Sequence, residues 1–370
     1  MASILHNEYH PNSVSSPGET LLETLETVGM SQAELARRMG RPVKTINEII
    51  QKKAAITAET ALQLEQVLHI PASFWLKLEQ QYRESLARLA EDRRLTGWVE
   101  WLNKLPVREM MHRGWIPHST NKHQQVLETL KFFSVASPEA WQNVWEQKVI
   151  VYRKSTVLES HFGAVTAWLC RGEIEAQEID TAPYNADAFR DALSRIRALT
   201  VEPVSFFQQE LVCLCANAGV AVVFVQELPQ TRICGATQWL TSTKALVQLS
   251  LRYKTDDHLW FTFFHEAGHI LLHGKRQVFL EMDQKDRKEA EDEADAFAAN
   301  MLIDPIQWQR FVEHNVYRTK VGIKEFAQKV GIAPGIVVGR LQHEQRLPFN
   351  HCNDLKRRLE WKLEEYDSEI

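Results

Sequence analysis

The 370-residue sequence has little of what marks secreted, membrane-spanning or broadly basic proteins. It contains only five cysteines, an odd number without regular spacing, which favours a reducing compartment over a disulfide framework. No apolar run approaches the length of a membrane span, and the first eight residues lack the basic segment of a secretory signal. The net charge of −5 excludes a basic coat over the whole surface. We therefore expect a cytoplasmic protein that makes no membrane contact.

What the sequence does contain is a His265-Glu266-x-x-His269 motif inside an apolar run. In a helix, residues four apart lie on one face, so both imidazoles can face one metal ion. Glu266 lies one position further round, where it can act as a general base toward water. This arrangement resembles the zincin peptidases and implies Zn²⁺ as cofactor. A buried helix with two hydrogen-bonded histidines is the alternative interpretation.

A third ligand is expected on the acidic helical segment that follows. Its apolar residues form one stripe, with Glu291 close to the stripe, Asp295 one turn further on, and Glu293 toward the far side. A glutamate at this distance resembles the third ligand of gluzincins. We therefore predict that Glu291 binds the metal and that Asp295 orients His265. An acidic, solvated start of a helix, favoured by the helix dipole, is the alternative.

His273 is also near the motif, but its spacing argues against a third ligand. It follows His265 by eight residues, which is roughly 12 Å along a helix axis. One ion cannot span that distance, so His273 is expected in the core or beside a ligand. Gly274 is expected to end the helix. Tyr253, His258 and His273 all remain candidates for stabilising an oxyanion.

The amino-terminal third carries short helical patterns. We expect an arm over residues 10–18, then helices opened by two capping boxes, Thr20 with Glu23 and Ser31 with Glu34. After a turn at Gly40, a helix from Val43 to Gln51 is expected. It should bury Val43, Ile46, Ile49 and Ile50 and expose Lys44, Thr45, Asn47, Glu48 and Gln51. Two short helices joined by a glycine turn are typical of a helix-turn-helix.

Local charge supports DNA binding by this segment. Between Arg37 and Lys53 there are six basic residues and one acidic residue. Lys44, Asn47 and Gln51 can donate to or accept from base edges. The segment resembles the Xre-type helix-turn-helix of HigA-family antitoxins over roughly residues 11–89. That resemblance implies that Gln32 and Lys52 contact phosphates and that the Val43 helix enters the major groove. A plain helical bundle with a solvated basic face is the alternative.

Further along the chain, the hydrophobic period changes from helical to strand-like. Three strands are expected, over residues 220–225, 235–240 and 244–250, and they lead directly into the His265 helix. In zincins, an edge strand can bind an extended peptide by strand addition. A short strand at Ile150–Arg153 and a charged helix at Leu355–Tyr366 are also expected.

Four motifs in order, Gly235-Ala-Thr-x-Trp239, Val247-x-Leu-Ser250, Phe264 to His273 and Glu291 to Ala298, resemble the ImmA/IrrE metallopeptidases over roughly residues 218–341. Members of that family cleave a partner repressor, so the resemblance implies a protein substrate. A later segment, Phe326 to Pro334, mimics a second helix-turn-helix, which we interpret as structural.

These patterns predict an α+β protein. The expected parts are an all-α DNA-binding domain over residues 1–90 and a helical connector over 91–200. A zincin-like domain with a small sheet over 201–345 and a C-terminal helix over 346–370 follow. We predict a DNA-binding regulator whose zinc endopeptidase cleaves a partner or itself. It would be a homodimer on double-stranded operator DNA. The alternative is a HigA-like antitoxin and autorepressor, with a toxin partner and a non-catalytic zincin.

Overall fold

The computed structural model describes residues 15–150, 162–229, 231–273 and 284–361. Two compact units divide between Val99 and Glu100. Helices predominate in the described residues of both units, and a three-stranded sheet lies in the second unit. The predicted α+β class is therefore confirmed.

The described part of the first unit is helical throughout. Its helices are α1 (Pro17–Val28), α2 (Gln32–Met39), α3 (Val43–Ile50), α4 (Ala58–Leu68) and α5 (Ala72–Trp98). Their apolar faces meet in one core that includes Leu21, Leu35, Ile46, Leu64 and Trp75. Val43 was expected in this core, but its side chain is 48% exposed. It stands at the first position of α3, before the stripe formed by Ile46 and Ile49 turns inward.

The start of α1 differs from the expectation. Ser16, not Thr20, caps the helix: Glu19 N donates to Ser16 Oγ, and Ser16 N donates to Glu19 Oε2. Gly18 lies in the first turn against α3, where an added Cβ would be 2.2 Å from the carbonyl oxygen of Ile49. Ser16, Pro17 and Gly18 of the expected arm therefore belong to the cap and first turn of α1, and residues 10–14 lie outside the described residues.

The second unit contains the remaining elements. Its helices are α6 (Val107–His112), α7 (Lys122–Phe132), α8 (Pro138–Ile150), α9 (Phe162–Gln177), α10 (Ala186–Ala198), α11 (Val204–Ala216), α12 (Asp256–Gly268), α13 (Gln284–Leu302), α14 (Pro305–Glu313), α15 (Lys320–Val330) and α16 (Pro334–His343). None of the helices in the described parts of the chain is long and apolar enough to cross a membrane.

The sheet consists of β1 (Val220–Phe224), β2 (Gly235–Thr241) and β3 (Lys244–Leu249), in the order β1-β3-β2. β1 pairs parallel to β3, and β2 pairs antiparallel to β3. The continuous apolar run of β1 fits a strand that is buried on both faces. β2 lies at an edge of the described sheet, beside α12.

The segment expected as a connector belongs to the second unit beyond residue 99. Trp168 on α9 donates its indole N–H to the carbonyl of Val225, and Gln248 on β3 donates to the carbonyl of Trp168. These buried bonds attach α9 to the sheet. Of the strand expected at Ile150–Arg153, Ile150 ends α8 and the other residues lie outside the described ranges.

The chain after α16 is not the expected helix over its described residues. Asn353–Leu355 forms one 3₁₀ turn, and residues 356–361 are not helical. Arg358 pairs with Thr255 as an isolated β-bridge, and Arg357 O accepts from Asp256 N. These backbone bonds to the start of α12 compete with helix formation. The expected residues from 362 onward lie outside the described ranges.

Candidate metal centre and nucleic-acid interface

The His265 motif lies at the carboxyl end of α12, the central helix of the second unit's core. Phe263, Phe264 and Ala267 are fully buried, and His265 and Glu266 are each only 8% exposed. After Gly268 the backbone widens into a π turn, His269–His273. The expected uninterrupted helix therefore changes its winding at the second histidine.

Three side chains converge beyond this end of α12. The Nε2 atoms of His265 and His269 lie 3.0 Å apart. Glu291 on α13 places Oε2 3.4 Å from Nε2 of His265 and Oε1 3.6 Å from Nε2 of His269. Among the described residues, these three form the group of ligand-type side chains that could hold a metal ion. Two imidazole nitrogens and one carboxylate are a donor set that suits zinc and leaves a further coordination position.

The packing of α13 on α12 brings Glu291 to this place. Ala294, Ala298 and Leu302 are buried on one stripe of α13. Gly268 permits the contact, because a Cβ there would lie 3.3 Å from Cα of Ala294 and 3.1 Å from Cδ1 of Phe297. The glycine thus admits a neighbouring backbone.

The outer nitrogens of both imidazoles also have partners. Nδ1 of His265 lies 2.7 Å from Oδ1 of Asp295, the residue expected beside it. Nδ1 of His269 lies 2.9 Å from Nδ1 of His273. His273 in turn places Nε2 3.1 Å from Oε2 of Glu293. Glu293 faces away from the three ligand atoms, as expected, but it faces the π turn rather than solvent alone.

Glu266 is held from the sheet side of the centre. Thr237 on β2 donates its hydroxyl hydrogen to Oε2 of Glu266 over 2.7 Å. Gly235, at the start of β2, lies so close that an added Cβ would be 2.9 Å from Oε1 of Glu266. Sequence reasoning assigned Thr237 no role, although it lies in one of the four motifs. The spacing of that motif to Glu266 depends on how β2 packs on α12.

The three oxyanion candidates occupy different places. His273 is engaged with His269 and Glu293. Tyr253 and His258 stack on each other, with ring centroids 4.2 Å apart, and both line a small cavity next to Cys234 and Thr262. Burial lowers the pKa of His258. His258 also lies two helical turns before Glu266 on α12. The structure therefore does not select one of the three residues as the group that stabilises an oxyanion.

In the first unit, α3 presents a polar face. Lys44, Asn47 and Gln51 are exposed, while Thr45 and Gln32 are half-buried. Gln51 donates its amide N–H to Oδ1 of Asn47 over 3.1 Å, so these two amides are aligned. Gln32 occupies the first position of α2, behind the cap formed by Ser31. The exposed amides have the donor and acceptor groups that contact base edges.

The basic residues near α3 have acidic partners that the local charge count did not include. Glu34 pairs with Arg37 and Arg38, and Glu59 pairs with Arg41. Lys52, in a left-handed conformation with φ 65°, lies 2.6 Å from Glu19. This pair raises the pKa of Lys52 and lowers that of Glu19. All of these are surface ion pairs, which are weak, so each basic side chain can exchange its carboxylate partner for a DNA phosphate.

Comparison with known proteins assigns both regions. A family model described as helix-turn-helix matches residues 21–75, and the M78 peptidase model described as the IrrE N-terminal-like domain matches residues 224–342. Virulence-associated protein I of Dichelobacter nodosus is 36% identical over 72 residues, which are 19% of this chain and 67% of that protein. The chain belongs to the helix-turn-helix regulators. It also carries an IrrE-like domain of the M78 peptidase family.

Two further relatives align with the helix-turn-helix part. The HTH-type transcriptional regulator YddM of Escherichia coli is 32% identical over 66 residues, covering 18% of this chain and 70% of the regulator. The addiction module antidote protein of the HigA family from Coxiella burnetii is 29% identical, with a TM-score of 0.22. That match covers 23% of this chain and 92% of that structure. The two family models confirm the resemblance to helix-turn-helix regulators and to the ImmA/IrrE family.

Proposed function

We propose that the protein is a DNA-binding transcription regulator whose IrrE-like domain is a zinc endopeptidase that cleaves a partner regulator or the chain itself. His265, His269 and Glu291 would hold the zinc ion, and Asp295 would orient His265. Such a regulator would work in the cytoplasm, where its operator lies. Support comes from the match to two families and from the convergence of three ligand side chains on α12 and α13.

The observation that carries the peptidase proposal is the placement of Glu266. Its carboxylate is outside the group of ligand side chains, yet it is buried next to that group and held by Thr237. A zinc centre that only stabilises the fold is closed by four protein ligands and needs no general base. An oriented carboxylate beside two ligand histidines is what hydrolysis requires.

Each residue then has a defined role. When bound, zinc supplies Lewis-acid chemistry that polarises the scissile carbonyl and makes water more acidic. Glu266 accepts the proton from water and delivers it to the leaving amine. The Thr237 hydroxyl donates to one carboxylate oxygen of Glu266 and so orients the carboxylate for this transfer. Asp295 holds His265 by accepting from its outer nitrogen.

An extended protein segment is the substrate that best suits the site. β2 pairs with β3 and carries the residues that touch Glu266. An extended peptide bound beside α12 and the sheet would therefore run past the general base.

The first unit would bring this activity to a promoter. We propose that α3 enters the major groove, with Lys44, Thr45, Asn47 and Gln51 toward base edges and Gln32 and Lys52 on phosphates. Binding as a homodimer to a palindromic operator would match the usual arrangement of this motif. Lys52 would exchange Glu19 for a phosphate.

The test is a trapping experiment with Glu266→Gln, which keeps the shape of the side chain and removes its proton acceptor. We expect the variant to keep its metal and its DNA binding and to lose proteolysis. General-base help is typically worth about 10²–10⁴-fold. Partners captured by the variant from the cell of origin are then incubated with the unaltered protein.

A captured partner that only the unaltered protein cuts supports the peptidase. If no captured partner is cut, and repression in cells is the same for both proteins, the peptidase proposal fails. The HigA-like antitoxin with a toxin partner and a non-catalytic zincin would then stand.

A further inference from the structure

Both ligand histidines are tied through their outer nitrogen to a carboxylate of α13, but in different ways. His265 contacts Asp295 directly, with Nδ1 2.7 Å from Oδ1. His269 reaches Glu293 through His273: the two Nδ1 atoms are 2.9 Å apart, and Nε2 of His273 is 3.1 Å from Oε2 of Glu293. The second histidine therefore has one more imidazole between itself and its carboxylate.

The protons of this chain of contacts can be placed by elimination. When Nε2 of a neutral His269 binds a metal, its proton is on Nδ1, which must donate. Nδ1 of His273 then accepts, so the proton of His273 is on Nε2. That N–H faces an oxygen of Glu293, which accepts. Each contact in this chain therefore pairs one hydrogen-bond donor with one acceptor, and no two N–H groups face each other.

We propose that His273 and Glu293 are positioning residues that fix the tautomer and orientation in which His269 binds metal. The inference rests on the metal centre of the proposed function and deepens it. The π turn at His269–His273 is where the two rings meet, with centroids 5.0 Å apart. Partners of this kind make a ligand imidazole more basic and hold its ring in place.

The placement of Glu293 argues against a role in stability alone. Its side chain is 65% exposed, and a carboxylate with that exposure contributes little to folding. It stands between Glu291 and Asp295 on α13, on a different face of the helix. Glu293 contacts His273, and His273 contacts His269, so Glu293 is connected to the metal centre only through His273.

The test measures the affinity of the full chain for Zn²⁺ at neutral pH, by competition with a chelating dye. We expect His273→Phe to weaken zinc binding by about 10- to 100-fold, the usual effect of losing such a partner. Glu293→Ala should weaken it less. Asp292→Ala, which removes the same charge from the neighbouring exposed position of α13, is the matched control and should leave it unchanged. His273→Asn keeps an acceptor for His269 and should retain more affinity than His273→Phe.

Two further readouts separate positioning from a general effect. The visible spectrum of the Co²⁺-loaded chain should change in His273→Phe and not in Asp292→Ala. Because Glu293 acts only through His273, adding Glu293→Ala to His273→Phe should weaken zinc binding no further. The metal-free Glu293→Ala variant should unfold at the same temperature as the unaltered chain, because the Glu293 side chain is 65% exposed.

Unchanged affinity and an unchanged cobalt spectrum in His273→Phe would overturn the proposal. So would an effect of Glu293→Ala that is equally large with and without His273. Failure of the proposed function looks different, because the unaltered chain would then bind no zinc, or would bind zinc and cut nothing.

Discussion

Two segments of the molecule have the local form of a helix-turn-helix, and only one is suited to meet DNA. α2 and α3 join at Gly40, with φ 63°, and α15 and α16 join at Gly331, with φ 70°. Ser31 and Thr319 cap the first helix of each pair through the same side-chain bond. A proline lies near the start of each second helix, Pro42 before α3 and Pro334 at the first position of α16.

The second helices have opposite surroundings. α3 buries Ile46 and Ile49 and leaves Lys44, Asn47 and Gln51 exposed. α16 is buried along most of its length against α12. Two glycines permit that contact: a Cβ at Gly335 would lie 2.5 Å from Oδ1 of Asp256, and one at Gly339 2.6 Å from Oδ2 of Asp257. The turn is thus set locally, whereas the exposure of the second helix is set by its neighbours.

The largest expected effect comes from breaking the α16 contact. Gly339→Val inserts a side chain where Asp257 is buried and paired with Lys356 over 2.6 Å. We expect the second unit to lose about 3 kcal/mol of unfolding free energy, the upper range for overpacking. Counted from the glycine of each turn, Glu48 is the matching position of α3. Glu48→Val should change unfolding of the first unit by much less. Equal losses of unfolding free energy in denaturant titrations of the two variants would contradict the difference in burial between α16 and α3.

The next effect concerns DNA. Asn47→Ala should reduce discrimination between operator and altered base pairs by about 1–3 kcal/mol, while Lys52→Ala should weaken all sequences alike. His343→Ala, at the exposed end of α16, is the control and should do neither. Fluorescence anisotropy with the protein's own promoter measures all three. Undetectable binding at low salt, or equal losses in Asn47→Ala and His343→Ala, would contradict the assignment of α3.

A smaller effect depends on pH. Burial, with Asp257 nearby, raises the pKa of Asp256 to about 6. The ionised form is therefore disfavoured in the folded chain. The stability contributed by the protonated form is present below the ordinary pKa near 3.8 and is lost as the pH rises through about 6.

Asp256→Asn removes this titration and can still accept the backbone N–H bonds of Asp257 and Arg357. We expect it to stabilise the metal-free chain by about 1–2 kcal/mol more at pH 8 than at pH 5. Asp292→Asn, on the exposed face of α13, is the control. A stabilisation that does not depend on pH would show that Asp256 is not the titrating group.

Patterns with a short period were sufficient to predict much of this molecule. The spacing of His265 and His269, the stripe of α13 and the positions of the three strands all follow from helix and strand periods along the chain. Packing between elements was not visible in the sequence. Thr237 and Glu266 are 29 residues apart, and only the position of β2 on α12 joins them.

The errors have more than one origin. Thr20 and Glu23 have the spacing of a capping box, but Ser16 and Glu19 have it too, with Pro17 at the first helical position, and these residues cap α1. The basic count near α3 ignored Glu19, Glu34 and Glu59, which lie outside the counted residues and against them in space. The π turn at His269 has no signal in residue spacing, so the contact between His273 and Glu293 could not be foreseen.

The proposed peptidase function would depend on a zinc ion held by His265, His269 and Glu291, and elemental analysis of purified protein at saturating zinc tests this most directly. We predict about one zinc per chain for the unaltered protein and for Glu293→Ala, and a loss of the zinc in Glu291→Ala, because only Glu291 lies among the ligand atoms. An unaltered protein without zinc, or equal loss in the two variants, would contradict the assignment of the metal centre.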